Sequence, residues 1–325
     1  DLEAALMSSN EKNCYLFVHF REKSTPDGEQ VYFGISRDGY HWEEVYGGKP
    51  ILWAMHGDFG VRDCAITRYV DNKFVIAATD LSLAYGMRNK YKGSWGEICH
   101  HGSENLAFWY SDDLVHWSEQ TLIPIGKEKF GCRWAPDITY DRKNDDYVIH
   151  FSASEKANNY EMAIFYSRTK DFVNFSEPEL LYRYEKGGVI DSAIYEENGV
   201  YYLFVKAGDP SRNIMLRSND LLGPYERVYA FDEEISRNQP NLYEAAAIYK
   251  LSDGKYALML DFYGARGKKQ GYVPFVSEDI SKGVFLRDEE DFTFPYRFKH
   301  GTVLPITEEE YERIKTFDFD RSEER

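Results

Sequence analysis

Two strand patterns recur in alternation five times along the chain, and this repeat restricts the fold more than any other feature. The first is an apolar strand entered from an Asn, Asp or Gly turn: 13–19, 71–78, 145–151, 198–205 and 253–260. The second ends in serine, at Ser36, Ser111, Ser167, Ser218 and Ser277. A polar turn follows each serine and closes on an aromatic: Trp42, Trp117, Phe175, Tyr225 and Phe285. Successive serines lie roughly 50 to 75 residues apart, the length of a four-stranded blade with its loops. Five copies predict an all-β fold, a five-bladed β-propeller in which the closing aromatics plug the seams between blades.

No linker or low-complexity tract interrupts the repeat, so the chain reads as a single domain over 1–325 with short extensions at 1–12 and 307–325. Helical periodicity is nearly absent. The exception is 307–315, where Thr307 and Glu310 predict a capping box on a short C-terminal helix.

Charge and composition narrow the partners. A formal charge of −16 disfavours nucleic acid and anionic membrane surfaces, whereas a neutral carbohydrate meets no such repulsion. No apolar run is long enough to span a bilayer. The chain opens at Asp1 with neither Met nor a signal-like stretch, as a trimmed chain would, and its compartment stays open. Aromatics make up 16% of the residues. They suit pleated sheet surfaces, and the same rings stack on sugars. Cys14, Cys64, Cys99 and Cys132 are too widely spaced for a disulfide framework and read as free thiols.

A third element precedes each hairpin: a short strand beginning at Val61, Trp134, Val189, Tyr243 or Lys299. The innermost strand of every propeller blade lines the central channel, so Asp63, Asp191, Glu244 and His300 should face one another there. Ala135 holds the equivalent place in one blade. Glu244 stands one residue early, which predicts a bulge or local shift. Singly, acidic residues at strand starts are often turn caps. Three around one channel cannot easily all be ionised, so their pKa values must spread. Glycoside hydrolysis uses such a spread, with one carboxylic acid for the leaving oxygen and one carboxylate for water or direct attack.

Arg62-Asp63-Cys-Ala-Ile resembles the Arg-Asp-Pro motif of glycoside hydrolase family 43. Trp134-Ala-Pro-Asp137, Ile190-Asp191-Ser, the Glu244 strand and His300-Gly-Thr-Val-Leu-Pro305 follow in that family's order, so the resemblance spans about Gly57 to Pro305. It implies a five-bladed propeller and an inverting mechanism. Asp63 would be the general base, Glu244 the general acid, and Asp191 the residue that orients the acid and adjusts its pKa. The chain departs from the motif at Cys64 and Ser192, where proline is usual, and at Glu244-Ala-Ala, where Glu-Gly-Pro is usual. The resemblance also allows His300 to hold a water or a structural calcium in the channel; a satisfied core histidine is the alternative.

Other candidates surround this set. Trp134 reads as a sugar-binding floor or a blade-packing residue, and Trp53 and Trp95 as flanks of outer subsites or loop packing. Arg62 should pair with a carboxylate beside Asp63, and Arg266 reads as a contact to sugar or a solvated loop tip. The long segment 80–104 should shape the substrate mouth. Adjacent His100 and His101 on a strand would point apart, which argues against zinc. The family resemblance implies removal of terminal pentose units from arabinoxylan, arabinan or their oligosaccharides. The closing His300-Gly-Thr-Val resembles the arabinofuranosidases of the family, which favours α-L-arabinofuranosidase over β-D-xylosidase, and the rival of another class is a non-catalytic carbohydrate-binding propeller.

Overall fold

A computed structural model of the chain describes residues 11–238, 241–264 and 270–324. It contains five four-stranded antiparallel sheets, the blades of a propeller. The inner strands are Thr302–Ile306, Val61–Tyr69, Phe130–Asp141, Val189–Glu197 and Tyr243–Lys250, for blades one to five. Blade one joins the two ends of the chain: Thr302–Ile306 pairs with Cys14–His19, from Val18↔Thr302 to Cys14↔Ile306. The strand after His300 therefore belongs to the blade that the N-terminal strands build. This closure leaves the ring without an open sheet edge between first and last blade.

The serine turns explain the repeat. Ser36 Oγ accepts the Gly39 N–H, and Asp38 Oδ1 accepts the N–H groups of Tyr40 and His41. Ser111 with Asp113, Ser218 with Asp220 and Ser277 with Asp279 use the same logic, a hydroxyl and a carboxylate two residues apart tying down one tight turn. In blade three the role falls to Thr169 and Asp171. Ser167, predicted for that place, is buried, and its hydroxyl has no partner among the described residues.

The closing aromatics sit in the seams as predicted. Trp117 of blade two meets Phe33 of blade one at 6.1 Å, Phe175 of blade three meets Phe108 at 5.4 Å, and Phe285 of blade five meets Phe204 at 5.8 Å. Tyr225 packs on the core that runs from blade two to blade four. Trp42 joins blade one to Tyr249 of blade five at 6.1 Å and edge-packs on Phe17 at 5.1 Å.

The C-terminal helix Glu308–Thr316 carries the expected capping box, with Thr307 and Glu310 each accepting the other's backbone N–H. Three further short helices, Leu83–Gly86, Trp95–His101 and Tyr229–Ile235, were absent from the sequence reading. At two turns or fewer they are too short to show a period. No helix of the described residues is long and apolar enough to cross a membrane, and all four cysteines are free thiols.

Trp42 is only 4% exposed at the seam where the ring closes. Trp42→Ala is expected to destabilise the fold by about 3–5 kcal/mol in denaturant unfolding, and a loss below about 1 kcal/mol would show that the seam does not depend on it.

Candidate active site

Inner strands of blades two to five share one local distortion. Pairing with the second strand shifts register between Arg62 and Ala65, Trp134 and Asp137, Ile190 and Ala193, and Glu244 and Ala247. Each shift is a β-bulge, and its first residue is left-handed: Asp63 (φ 54°), Ala135 (φ 52°), Asp191 (φ 61°) and Ala245 (φ 59°). A side chain in this region costs roughly 1–2 kcal/mol, and such strain gathers where a site requires it. The predicted offset of Glu244 is observed, and a bulge follows it as expected. That bulge is not peculiar to Glu244, because it recurs in four blades. Glu244 occupies the residue before the bulge, equivalent to Arg62, Trp134 and Ile190.

Side chains from neighbouring blades hold the bulges. Thr79 Oγ1 accepts the Ala135 N–H at 2.8 Å, Ser152 Oγ accepts the Asp191 N–H at 2.9 Å, and Asp191 Oδ2 accepts the Ala245 N–H at 3.2 Å. Thr79 also donates to Asp63 Oδ2 at 2.8 Å. One hydroxyl thereby fixes both a bulge and a carboxylate.

A cavity of about 540 Å³ opens over these strand ends. Asp63, Asp191 and Glu244 all line it, so the three carboxylates predicted from sequence share one pocket. Trp134 and Trp95 line it as well, edge to face at 5.8 Å, and Trp95 is 48% exposed. Leu81, Leu83 and Trp95 bring the segment 80–104 to the rim, where it was expected. Within that segment His100 and His101 lie on a helix, not a strand, and His100 stacks on Tyr160 at 3.9 Å. Arg62 reaches the pocket with its charge engaged by Glu22 at 2.9 Å and Glu29 at 3.0 Å. Trp53 belongs to a separate cavity between blades one and two. Arg266 lies outside the described residues.

His300 is a buried, hydrogen-bonded histidine that also lines the pocket. Its Nδ1 lies 3.0 Å from Asp63 Oδ1. Burial alone would lower the imidazole pKa, but the Asp63 carboxylate and their hydrogen bond raise it to about 9. Burial likewise pushes Asp63 up, yet the His300 charge and hydrogen bond, with Arg62 and Thr79, outweigh it and hold Asp63 below the usual carboxylate range. Asp63 is therefore a carboxylate at neutral pH. Calcium takes six to eight oxygens, and among the described residues no three His, Cys, Asp or Glu side chains converge on a common point. With His300 cationic, the residues present do not fit a directly ligated calcium.

Asp191 is the opposite case. Burial lifts it to about 7; His300 and Lys206 pull it down, while Glu244 and Asp63 push it up. Glu244 instead receives a 2.9 Å bond from Lys206 Nζ. Burial alone would lower Lys206, but Glu244, its hydrogen bond, Asp191 and Tyr263 together outweigh it, so the ammonium stays charged. Lys299 and Asp261 form a second buried pair at 2.9 Å on the cavity wall. Burial raises Asp261 to about 6 against the Lys299 charge.

Lys206 and Asp261 escaped the sequence reading, yet a signal for them exists. The residue paired with each pre-bulge position is polar in all four blades: Thr79↔Arg62, Ser152↔Trp134, Lys206↔Ile190 and Asp261↔Glu244. Each stands near the end of an otherwise apolar second strand, so a polar residue there marks a side chain aimed at the channel.

Residues 10–312 match a family model described as "Probable glycosyl hydrolase domain". A curated α-L-arabinofuranosidase of Bifidobacterium longum subsp. longum is 26% identical over 216 residues, covering 59% of this chain and 19% of that protein. The chain thus spans about a fifth of that relative's length. Among solved structures, an exo-1,5-α-L-arabinanase from a bovine ruminal metagenomic library superposes with TM-score 0.57 at 15% identity, covering 87% of this chain and 98% of its own. An exo-β-1,3-galactanase from Phanerochaete chrysosporium, solved with β-1,3-galactotriose, gives 0.57 at 13% identity over 86% and 61%. At these identities the structural likeness is one of fold.

Thr79→Val keeps the side-chain volume but strands the Ala135 N–H and one Asp63 oxygen. A loss of about 1–3 kcal/mol in denaturant unfolding is expected; an unchanged midpoint would mean that water replaces the hydroxyl at no cost.

Proposed function

The chain belongs to the family of glycosyl hydrolase domains that its residues 10–312 match, and we propose that it hydrolyses terminal α-L-arabinofuranosyl units from arabinoxylan, arabinan or their oligosaccharides by an inverting mechanism. One observation carries the reading: Asp63, Asp191 and Glu244, from three different blades, line one pocket with two tryptophans. The arabinofuranosidase relative supports the choice of sugar.

In this mechanism Asp63 is the base. His300 bonds Oδ1 and keeps the carboxylate ionised, Thr79 fixes Oδ2, and a remaining lone pair of the carboxylate takes a proton from the attacking water. Glu244 is the acid that protonates the leaving glycosidic oxygen, and Asp191 stores the proton. Lys206 donates to Glu244, and burial raises Asp191 to about 7, so Asp191 is the carboxyl of the trio able to hold a proton near neutral pH. A sugar oxygen entering beside Glu244 competes for the Lys206 ammonium, and the proton then becomes available to Glu244. The Trp134 and Trp95 rings hold the apolar face of the sugar. Catalysis depends here on spreading the charges of three close carboxylates, as glycoside hydrolysis requires.

The sign of the pH dependence follows. Asp63 is held below the usual range, so activity should persist into acid until that group protonates. Asp191 holds its proton below about 7 and loses it above, so kcat/KM on an arabinoxylo-oligosaccharide should fall as pH rises through about 7. Lys206→Gln removes a positive charge that pulls Asp191 down. It should shift the alkaline limb upward, while a limb that stays in place would remove Lys206 from the proton balance.

Asp63→Asn should lower kcat at least about a hundredfold, the usual scale of a lost general base, on aryl α-L-arabinofuranoside and oligosaccharide alike. Glu244→Gln should be far more damaging on the oligosaccharide than on an aryl glycoside, whose leaving group needs little protonation. Release from aryl β-D-xyloside in preference to the arabinofuranoside would overturn the sugar and keep the mechanism.

A further inference from the structure

A second cavity, of about 740 Å³, lies between blades five and one. It adjoins the catalytic pocket: Glu22, Gln270 and Lys299 line both. Its far side is built from the connection that runs from blade five to the closing strand, which supplies Phe294, Tyr296 and Arg297, and from Arg21, just beyond the strand Cys14–His19. The wall is therefore partly aromatic and partly cationic.

The carboxylates at this cavity are already engaged. Glu289 pairs with Arg287 at 2.9 Å and Glu22 with Arg62 at 2.9 Å, and Lys23 is taken by Asp27 at 2.8 Å. Arg21 and Arg297 are different. The Arg21 guanidinium lies 3.8 Å from the centroid of the Tyr296 ring, and among the described residues its side chain has neither a carboxylate nor a hydrogen-bond acceptor. Arg297 gives one N–H to the Tyr272 carbonyl at 3.1 Å and likewise has no carboxylate. An aromatic face that holds a guanidinium flat leaves its edge, with the forked N–H donors, open to a planar anion. A carboxylate fits that fork with two parallel bonds. Long-range attraction does not explain such a site, because a chain of charge −16 repels anions overall. Recognition must come from these local donors.

We infer that this cavity is a subsite for a carboxylated sugar, a hexuronate unit carried on the glycan next to the pentose that the catalytic pocket removes. The pentose occupies the first cavity, the chain crosses at Glu22, Gln270 and Lys299, and the uronate ring rests on Phe294 with its carboxylate toward Arg21 and Arg297. The inference rests on the glycosidase reading for the pentose and adds the charge of the neighbouring sugar.

The test compares an arabinoxylo-oligosaccharide bearing a glucuronate branch with the same molecule after reduction of its carboxyl to a primary alcohol. Binding is measured by titration calorimetry on the Asp63→Asn protein, whose turnover is slowed at least about a hundredfold. A Kd at least tenfold tighter for the carboxylated form is expected. That preference should vanish in 0.5 M salt on the order-of-magnitude logic of a screened ion pair, and in an added Arg21→Gln/Arg297→Gln background. The double variant made in the otherwise unaltered enzyme should hydrolyse aryl α-L-arabinofuranoside at the original rate, since neither arginine lines the catalytic pocket. Equal affinity for the two ligands, or a preference that survives the double variant, overturns the inference. Failure of the aryl glycoside to be cleaved by the unaltered enzyme, with the carboxylate preference intact, would remove the glycosidase reading and leave the anionic subsite standing.

Discussion

The site depends on the left-handed bulge that opens the inner strands and on the side chain from the next blade that binds its amide. A regular strand would send alternate side chains to opposite faces. The bulge places two consecutive residues at the rim instead, so Arg62 with Asp63, Ile190 with Asp191, and Glu244 with Ala245 all reach one cavity. Asp63 and Asp191 accept backbone strain to do so. Thr79, Ser152 and Asp191 itself bind the bulge amides of blades three, four and five. Asp191 is thus both a member of the carboxylate set and a clamp on the blade that carries Glu244.

The second constraint is charge. Glu22, Asp63, Asp191, Glu244 and Asp261 line one pocket, and they stay compatible because cations are interleaved with them. His300 faces Asp63, Lys206 faces Glu244, Lys299 faces Asp261, and Arg62 faces Glu22. Asp191 has no hydrogen-bonded cation of its own. Burial, with repulsion from Glu244 and Asp63, therefore outweighs the more distant pull of His300 and Lys206 and lifts Asp191 to about 7. The separation of proton affinities that the reaction needs follows from which carboxylate is left without a direct counter-ion.

Much of this was legible in the sequence. The repeat gave the blade number because a hydroxyl and a carboxylate two residues apart are what a tight turn needs, and a buried aromatic is what a blade seam needs. The ring of Asp63, Asp191, Glu244 and His300 was legible because channel strands start at equivalent places. Ser167 misled because Thr169 supplies the same hydroxyl two residues later, so the chemistry recurs where the letter does not. Glu244 stands one residue early with a bulge behind it, as expected, but that the same bulge recurs in four blades was not legible because it leaves no mark in any one of them. Lys206 and Asp261 were passed over because a single charge inside an apolar strand is visible only when the four blades are aligned on their bulges. The short helices at Leu83–Gly86 and Trp95–His101 are fixed by Ser82 and Ser94 caps and by burial of Tyr91 and Ile98, contacts that no period foretells.

The measurement that bears most directly on the central claim is the configuration of the sugar at the moment of release, followed by proton NMR during rapid hydrolysis of an α-L-arabinofuranoside. If Asp63 activates a water opposite a leaving oxygen protonated by Glu244, the first anomer to accumulate is β-L-arabinofuranose, before mutarotation mixes the two. First appearance of the α anomer would mean that a carboxylate attacks the sugar directly, and the division of roles among Asp63, Asp191 and Glu244 would have to be redrawn.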